Sequence, residues 1–288
     1  MPEDKKSLTI GYYLVAFIDI LGQKEHLRGL TDLPTTPEEK ARFINVLKET
    51  YGTVEGFRTA FDTFFQAFNT PSRLPPMPEP MQQQFRDLRA VSIKTQRFSD
   101  TVILYAPLGN DTAKIPINGV YASLLACGTT FLAMLAGRNA CRGGIDIGLA
   151  FEPHQGEIYG AALLSASQLE RSVAQYHRID VGHTLVEYLA QHAQASGQDP
   201  VIQYTRKFAK ECLGLLTNDV NGQPFLDVLG EGYRQTVGGI ESLRDIVRDA
   251  YAFVVEEAER AQQAGNSKLA TRYGQLRQYF EARRPPPG

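Results

Sequence analysis

The segment that most constrains this chain is YYLVAFIDI, residues 12–20. Aromatic and β-branched residues fill it without polar alternation, so it reads as a strand buried on both faces. Gly22 ends the strand. Asp19 is the one charge in the run, near its carboxyl end. A carboxylate there is costly unless it is paired or binds a cation.

Downstream the pattern alternates. Thr36 precedes Pro37, Glu38 and Glu39. A hydroxyl cap, an early proline and an acidic first turn predict a helix start. Helices fill residues 37–68, with a break near Gly52. Pro71, Pro75, Pro76, Pro78 and Pro80 make residues 71–84 an irregular loop. Residues 90–95 and 101–106 read as short strands around RFSD, close enough for an antiparallel hairpin with Ser99 and Asp100 near its tip. A helix over 118–139 and a strand over 144–151 come after it. The turn 156–160 leads into a helix over 161–174. Next come a strand at 177–181, helices at 183–194 and 200–216, and a strand at 224–229. From Ile240 on, Leu243, Ile246, Val247, Ala250, Phe253 and Val254 keep the three-and-four spacing of one apolar helical face. The expected fold is α+β. A ferredoxin-like mixed sheet with helices on one side spans residues 8–235, and a C-terminal helical extension, residues 236–288, packs on the same domain.

Composition narrows the function classes. A chain of 288 residues with 43% hydrophobic content can bury a sizeable core. A net charge of −2 gives no basic field for nucleic acid, though a local pocket can still take a nucleotide. Cys127, Cys141 and Cys212 show no zinc spacing and read as reduced structural thiols in a reducing cytosol. The opening MPEDKKSLTIGYY lacks the apolar core and cleavage site of a signal peptide. The apolar stretch 120–135, interrupted by Ser123, Gly128, Thr129 and Thr130, reads as a buried helix rather than a membrane span. A cytoplasmic location with no membrane or nucleic-acid partner is expected.

Three segments carry chemistry. FIDILG places Asp19 at a strand end, and RFSDTVILY places Asp100 at a hairpin tip. Carboxylates from adjacent strand ends share hard cations such as Mg²⁺ or Mn²⁺. Two such ions about 3.5–4 Å apart activate a hydroxyl and stabilise a leaving oxygen in phosphoryl transfer. RGGIDIG followed by GEIYGAALLSASQLE leads a glycine-flanked strand through a tight turn into a helix whose N-terminus can face phosphate. Singly, each matches an ordinary turn or cap. Their order and separation point to chemistry.

In that order the segments resemble the class III nucleotidyl cyclases, whose pattern is FxDIxG, a hairpin ending in Asp, RxGIxxG, and a turn into a helix. RFSD, RGGIDIG and GEIYGAALLSASQLE are most similar to the pyrimidine cyclases of the bacterial Pycsar anti-phage system. The likeness covers residues 17–170, a little over half the chain. It implies that Asp19 and Asp100 hold two Mn²⁺ or Mg²⁺ ions per site, with the Ile20 carbonyl as a further ligand. The backbone of residues 21–24 would hold the triphosphate, with Phe17 and Gly22 in the nucleotide site. Gln96 stands where adenylyl cyclases place an adenine-reading Lys, and Glu157 where they place a base-reading Asp. Tyr51 would contact a pyrimidine, or serve only as a core or surface tyrosine. Arg97 would bind phosphate or base, or serve only as a surface arginine. Arg142 would steady its strand or neighbouring phosphate charge. Leu164 and Gln168 replace the family's transition-state Asn and Arg, and Ser165, Arg97 or Arg171 are the candidate substitutes.

The implied reaction converts a nucleoside triphosphate, UTP before CTP, into a 3′,5′-cyclic monophosphate and pyrophosphate. It would serve antiviral signalling through a separate cyclic-nucleotide-binding effector. The family also implies a symmetric homodimer, in which the metal aspartates of one chain meet Glu157 and the 161–170 helix of the other. The alternatives are a purine cyclase, or a nucleotide-binding regulatory pseudoenzyme motivated by Leu164 and Gln168.

Overall fold

The computed structural model describes residues 10–28, 30–69, 79, 82, 91–109, 117–173, 176–238 and 243–283. Its first half holds β1 (Ile10–Ile20), α1 (Gln23–Arg28), α2 (Pro37–Phe68), β2 (Lys94–Phe98), β3 (Thr101–Pro107), α3 (Ile117–Ala136) and β4 (Cys141–Phe151). The four strands lie in the order β2-β3-β1-β4, and every adjacent pair is antiparallel.

β1 is paired on both edges and covered on both faces, which is why its sequence shows no polar alternation. Leu14, Ala16, Ile18 and Ile20 point to one face, and Tyr13 and Val15 to the other. On the first face lies α2, with Phe57, Phe61, Phe65 and Phe68 buried on one side of the helix. Beside it lies α3, buried along almost its whole length. The sequence made α3 too short and too polar to span a bilayer. The observed helix is long and apolar enough to cross a membrane by composition, but its surface is taken up by protein.

The second face is covered by α4 (Ala161–Gln168), whose Ala162 and Ala166 pack on Tyr13, Val15, Ile103 and Tyr105. Helices therefore lie on both faces of the sheet, not on one. Glycines in β4 make this possible: a Cβ at Gly148 would stand 3.1 Å from Ala162 N, and one at Gly144 only 2.3 Å from Ala166 O.

The second half adds β5 (Tyr159–Gly160), a π-helical turn (Leu169–Val173), β6 (Ile179–Val181), α5 (His183–Gln194) and α6 (Pro200–Gly214). It continues with β7 (Leu216–Asn218), β8 (Pro224–Leu226), α7 (Glu231–Val237), α8 (Leu243–Gln263) and α9 (Ser267–Ala282). β6 joins β4 in parallel, and β8 and β7 complete a mixed eight-stranded sheet in which β5 pairs with β4. Phe253, Val254, Leu276 and Phe280 of the last two helices belong to the same apolar cluster as the first face. Asp227 accepts from both Tyr279 Oη at 2.8 Å and Arg283 Nη2 at 2.9 Å, pinning the end of α9 beside β8.

Several expected boundaries move. α2 runs unbroken through Gly52, because an exposed interior glycine costs a helix only about 1 kcal/mol and four phenylalanines anchor the later turns. β2 covers Lys94–Phe98 rather than 90–95, because pairing of Phe98 with Thr101 leaves a tip of just Ser99 and Asp100, with Ser99 at φ 57°. The helix expected over 161–174 ends at Gln168 and passes into the π turn; residue 174 lies outside the described residues, as does most of the proline-rich loop. The strand expected at 224–229 stops at Leu226.

Candidate functional site

Asp19 lies in register with Thr101 of β3 and with Arg142 of β4. Asp100 sits next to Thr101 at the hairpin tip, where its carbonyl accepts from Ile20 N at 3.0 Å. Leu21 N donates to Ala140 O at 2.9 Å, so the chain after β1 is tied to the hairpin and to the start of β4. The two aspartates thus occupy adjoining strand ends, as the motif spacing required. Both are buried, Asp19 at 7% and Asp100 at 5% exposure.

Arg142 is a cation close to Asp19. Arg142 Nη2 is 3.8 Å from Asp19 Oδ2, and Arg142 Nε is 2.7 Å from Glu170 Oε1. Neither Arg142 Nε nor Glu170 Oε1 has a hydrogen-bond partner in good alignment, so their contact is an ion pair. Sequence reasoning passed over Glu170. It entered only as the last residue of GEIYGAALLSASQLE and of the 161–170 helix, with no role of its own, and its position depends on the π turn.

The hairpin tip borders a groove of about 490 Å³ between α1 and α2. Leu27 and Leu47 give it apolar walls, Lys48 a cation, Tyr51 a phenol and Asp100 a carboxylate. Gly22, at φ 89°, makes the turn from β1 into α1, a conformation that an L side chain resists. Tyr51 is 60% exposed. Arg97 lies 5.7 Å from its ring centroid and 2.6 Å from Glu55 Oε2. Glu55 is shared with Arg58, whose hydrogen bond is the main cause holding the Glu55 carboxyl below its ordinary range. Arg97 is therefore a brace between β2 and α2 as well as a cation at the groove's edge.

Gln96 and Glu157 come together on another side of the hairpin. Gln96 Oε1 accepts from Ile158 N at 3.0 Å, which sets the exposed Glu157 beside β2. Phe17 is partly buried against the second-face cluster. Leu164 is 59% exposed, and Gln168 is exposed on the same helix. Ser165 turns inward instead and hydrogen-bonds Asp146 Oδ2. Asp146 Oδ1 accepts from Leu185 N at 3.0 Å, so it caps α5 in place of Gly182, where any side chain would strike the Asp146 carboxylate. The Ser165 hydroxyl is therefore engaged within the fold, while Arg171 is exposed.

Among the described residues no group of three or more His, Cys, Asp or Glu side chains is arranged to hold a metal. Two buried carboxylates on adjoining strand ends, Asp19 and Asp100, have the chemistry of the other mode, in which one or two carboxylates share a Mg²⁺-like ion with substrate phosphates. Comparison with protein-family models, with curated proteins and with solved structures returned no match.

Proposed function

We propose that the chain is a nucleotidyl cyclase that closes UTP, or CTP, into a 3′,5′-cyclic monophosphate. The observation that carries this reading is the pair of buried aspartates on strand ends joined by the Ile20–Asp100 hydrogen bond, with Asp100 opening on a nucleotide-sized groove. The block β1-α2-β2-β3-α3-β4, with its antiparallel order β2-β3-β1-β4, supports the ferredoxin-like form that class III cyclases imply.

In this reading Asp19, Asp100 and the Ile20 carbonyl hold two Mn²⁺ or Mg²⁺ ions. Bound there, the ions supply positive charge that lowers the ribose hydroxyl pKa and stabilises departing pyrophosphate. The protein's own residues orient the substrate. The backbone of residues 21–24 and the Lys48 ammonium face the phosphates, and Tyr51 packs on the pyrimidine with Arg97 bracing it. The 3′-oxygen attacks the α-phosphorus, the bond to pyrophosphate breaks, and the hydroxyl proton passes to solvent. Glu157, Gln96 and α4 of a second copy complete each site of a homodimer, and the cyclic product acts through a separate effector in the cytoplasm.

The test is pyrophosphate release from each of the four nucleoside triphosphates with Mn²⁺. UTP or CTP should give the highest kcat/KM. A preference for ATP or GTP would sink the pyrimidine assignment but not the cyclase. Asp19→Ala and Asp100→Ala should each fall below about a thousandth of wild-type kcat, roughly 4 kcal/mol, and more activity than that overturns the metal assignment. Mixed Asp100→Ala and Glu157→Arg chains, each inactive alone, should regain activity on subunit exchange. No recovery despite proven exchange would refute the shared site. The exposed Leu164 where the family has Asn favours the one rival, a regulatory binder, which would bind triphosphate and release no pyrophosphate with any of the four.

A further inference from the structure

We infer that Glu170, acting through Arg142, is a positioning residue for the Asp19 carboxylate. The inference rests on the cyclase reading of Asp19 as a metal ligand. One guanidinium presents two of its nitrogens to two carboxylates, Nε to Glu170 at 2.7 Å and Nη2 toward Asp19 at 3.8 Å. The guanidinium is planar and rigid, and Nε and Nη2 share one edge of it, so holding Nε against Glu170 fixes where Nη2 points. All three groups are largely out of water: side-chain exposure is 17% for Arg142, 10% for Asp19 and 4% for Glu170. At such depth the field of one charge on another is weakly screened.

Glu170 reaches this position by a local departure from regular structure. α4 stops at Gln168 and gives way to the widened π turn Leu169–Val173. Such turns are rare and cluster at functional sites. The turn can lie against the sheet because Gly144 has no side chain: a Cβ there would stand 2.5 Å from Leu169 Cβ and 3.1 Å from Glu170 N. A pair serving only to fasten the π turn to β4 would account for Glu170 and Arg142. It would not require Nη2 of that edge to face Asp19, the carboxylate near the end of β1. From the C-terminal side Arg272 of α9 and the buried His177 also face Arg142, and Arg272 faces Glu170 as well.

A partner that orients a ligating carboxylate typically carries about 10–100-fold in metal affinity. The experiment is a Mn²⁺ titration of the full-length protein without nucleotide, read by electron paramagnetic resonance, alongside thermal melting. Glu170→Gln and Arg142→Met should each weaken Mn²⁺ binding by about 10–100-fold, and the double variant should be no weaker than the worse single one. Folded Glu170→Gln with wild-type Mn²⁺ affinity, or losses that simply multiply in the double variant, would overturn the inference. Should those variants not fold, Glu170→Asp and Arg142→Lys keep both charges but cannot span the same distance. They should bind Mn²⁺ about 10-fold more weakly, and wild-type affinity in them overturns the inference equally. Asp19→Ala separates the two levels. If wild type binds Mn²⁺ no better than Asp19→Ala, the metal reading falls and takes this inference with it. If wild type binds tightly and Glu170→Gln binds as tightly, the inference alone falls.

Discussion

A methyl group added at Gly144 would stand 2.3 Å from Ala166 O and 2.5 Å from Leu169 Cβ, and neither atom can swing away. The carbonyl belongs to α4, and the Cβ sits at the root of the π turn. Gly144→Ala should therefore push that helix off β4 and cost about 1–3 kcal/mol, the usual range for overpacking a close contact. Gly52 is the opposite case. It lies in the interior of α2 with nothing within 4 Å of an added Cβ, so Gly52→Ala should stabilise by about 0.5–1 kcal/mol. Urea midpoints of the two variants should move in opposite directions, and a shared direction would mean that one of the two environments is misassigned.

At the scale of elements, α2 divides into halves of different character. Its buried residues are Thr50, Val54, Phe57, Phe61, Phe65 and Phe68, so the turns before Thr50 bury no side chain. Those turns are held by a capping box, with Thr36 Oγ1 accepting from Glu39 N at 3.2 Å and Glu39 Oε2 accepting from Thr36 N at 3.2 Å. Thr36→Ala should then act locally, costing about 1 kcal/mol in the first turns while the global melting temperature stays nearly fixed. Amide exchange over residues 39–48 should speed up about fivefold, the rate equivalent of that cost, and uniform acceleration through residue 68 would show instead that the helix opens as one unit. Ile44, Leu47 and Lys48 of the groove sit on this softer half. The cap itself was legible in the sequence, as was β1, since its composition announces cover on both faces. β5 and β7 were not: Tyr159–Gly160 fell in the expected turn 156–160 and Leu216 in the expected helix 200–216, and both are fixed by their partner strands. Among site residues, motif order brought out Asp19 and Asp100, both bound to regular elements. Glu170 stayed hidden because its place under Arg142 depends on a helix widening that no residue pattern specifies.

At the scale of the whole molecule, His177, under the C-terminal α9, and Asp180 of β6 are two buried titratable groups whose pH effects oppose each other. His177 packs edge-on against Tyr273 of α9, ring centroids 4.6 Å apart, and burial, then Arg272 and Arg142, push its pKa from 6.5 down to about 3. Asp180 is fully buried beside Arg178, which itself lies between Tyr176 and Phe225, and burial raises its pKa from 3.8 to about 7 against the pull of Arg178. For His177 the folded value is depressed, so the unfolded chain binds the extra proton. The stability it contributes is present above about 6.5 and drains as pH falls toward 3. For Asp180 the folded value is raised, so the folded chain holds the extra proton. Its contribution is full below about 3.8 and drains as pH rises toward 7. Each slope is about 1.4 kcal/mol per pH unit, of opposite sign, so between about pH 4 and 6.5 the two offset one another. Single variants should unmask them. Relative to wild type, His177→Phe should gain stability progressively as pH falls from about 6.5 to 4, and Asp180→Asn should gain it progressively as pH rises from about 4 to 7. Melting temperatures measured across that range, plotted as variant minus wild type, should slope in opposite directions. Flat difference curves would mean that neither group changes its proton affinity on folding.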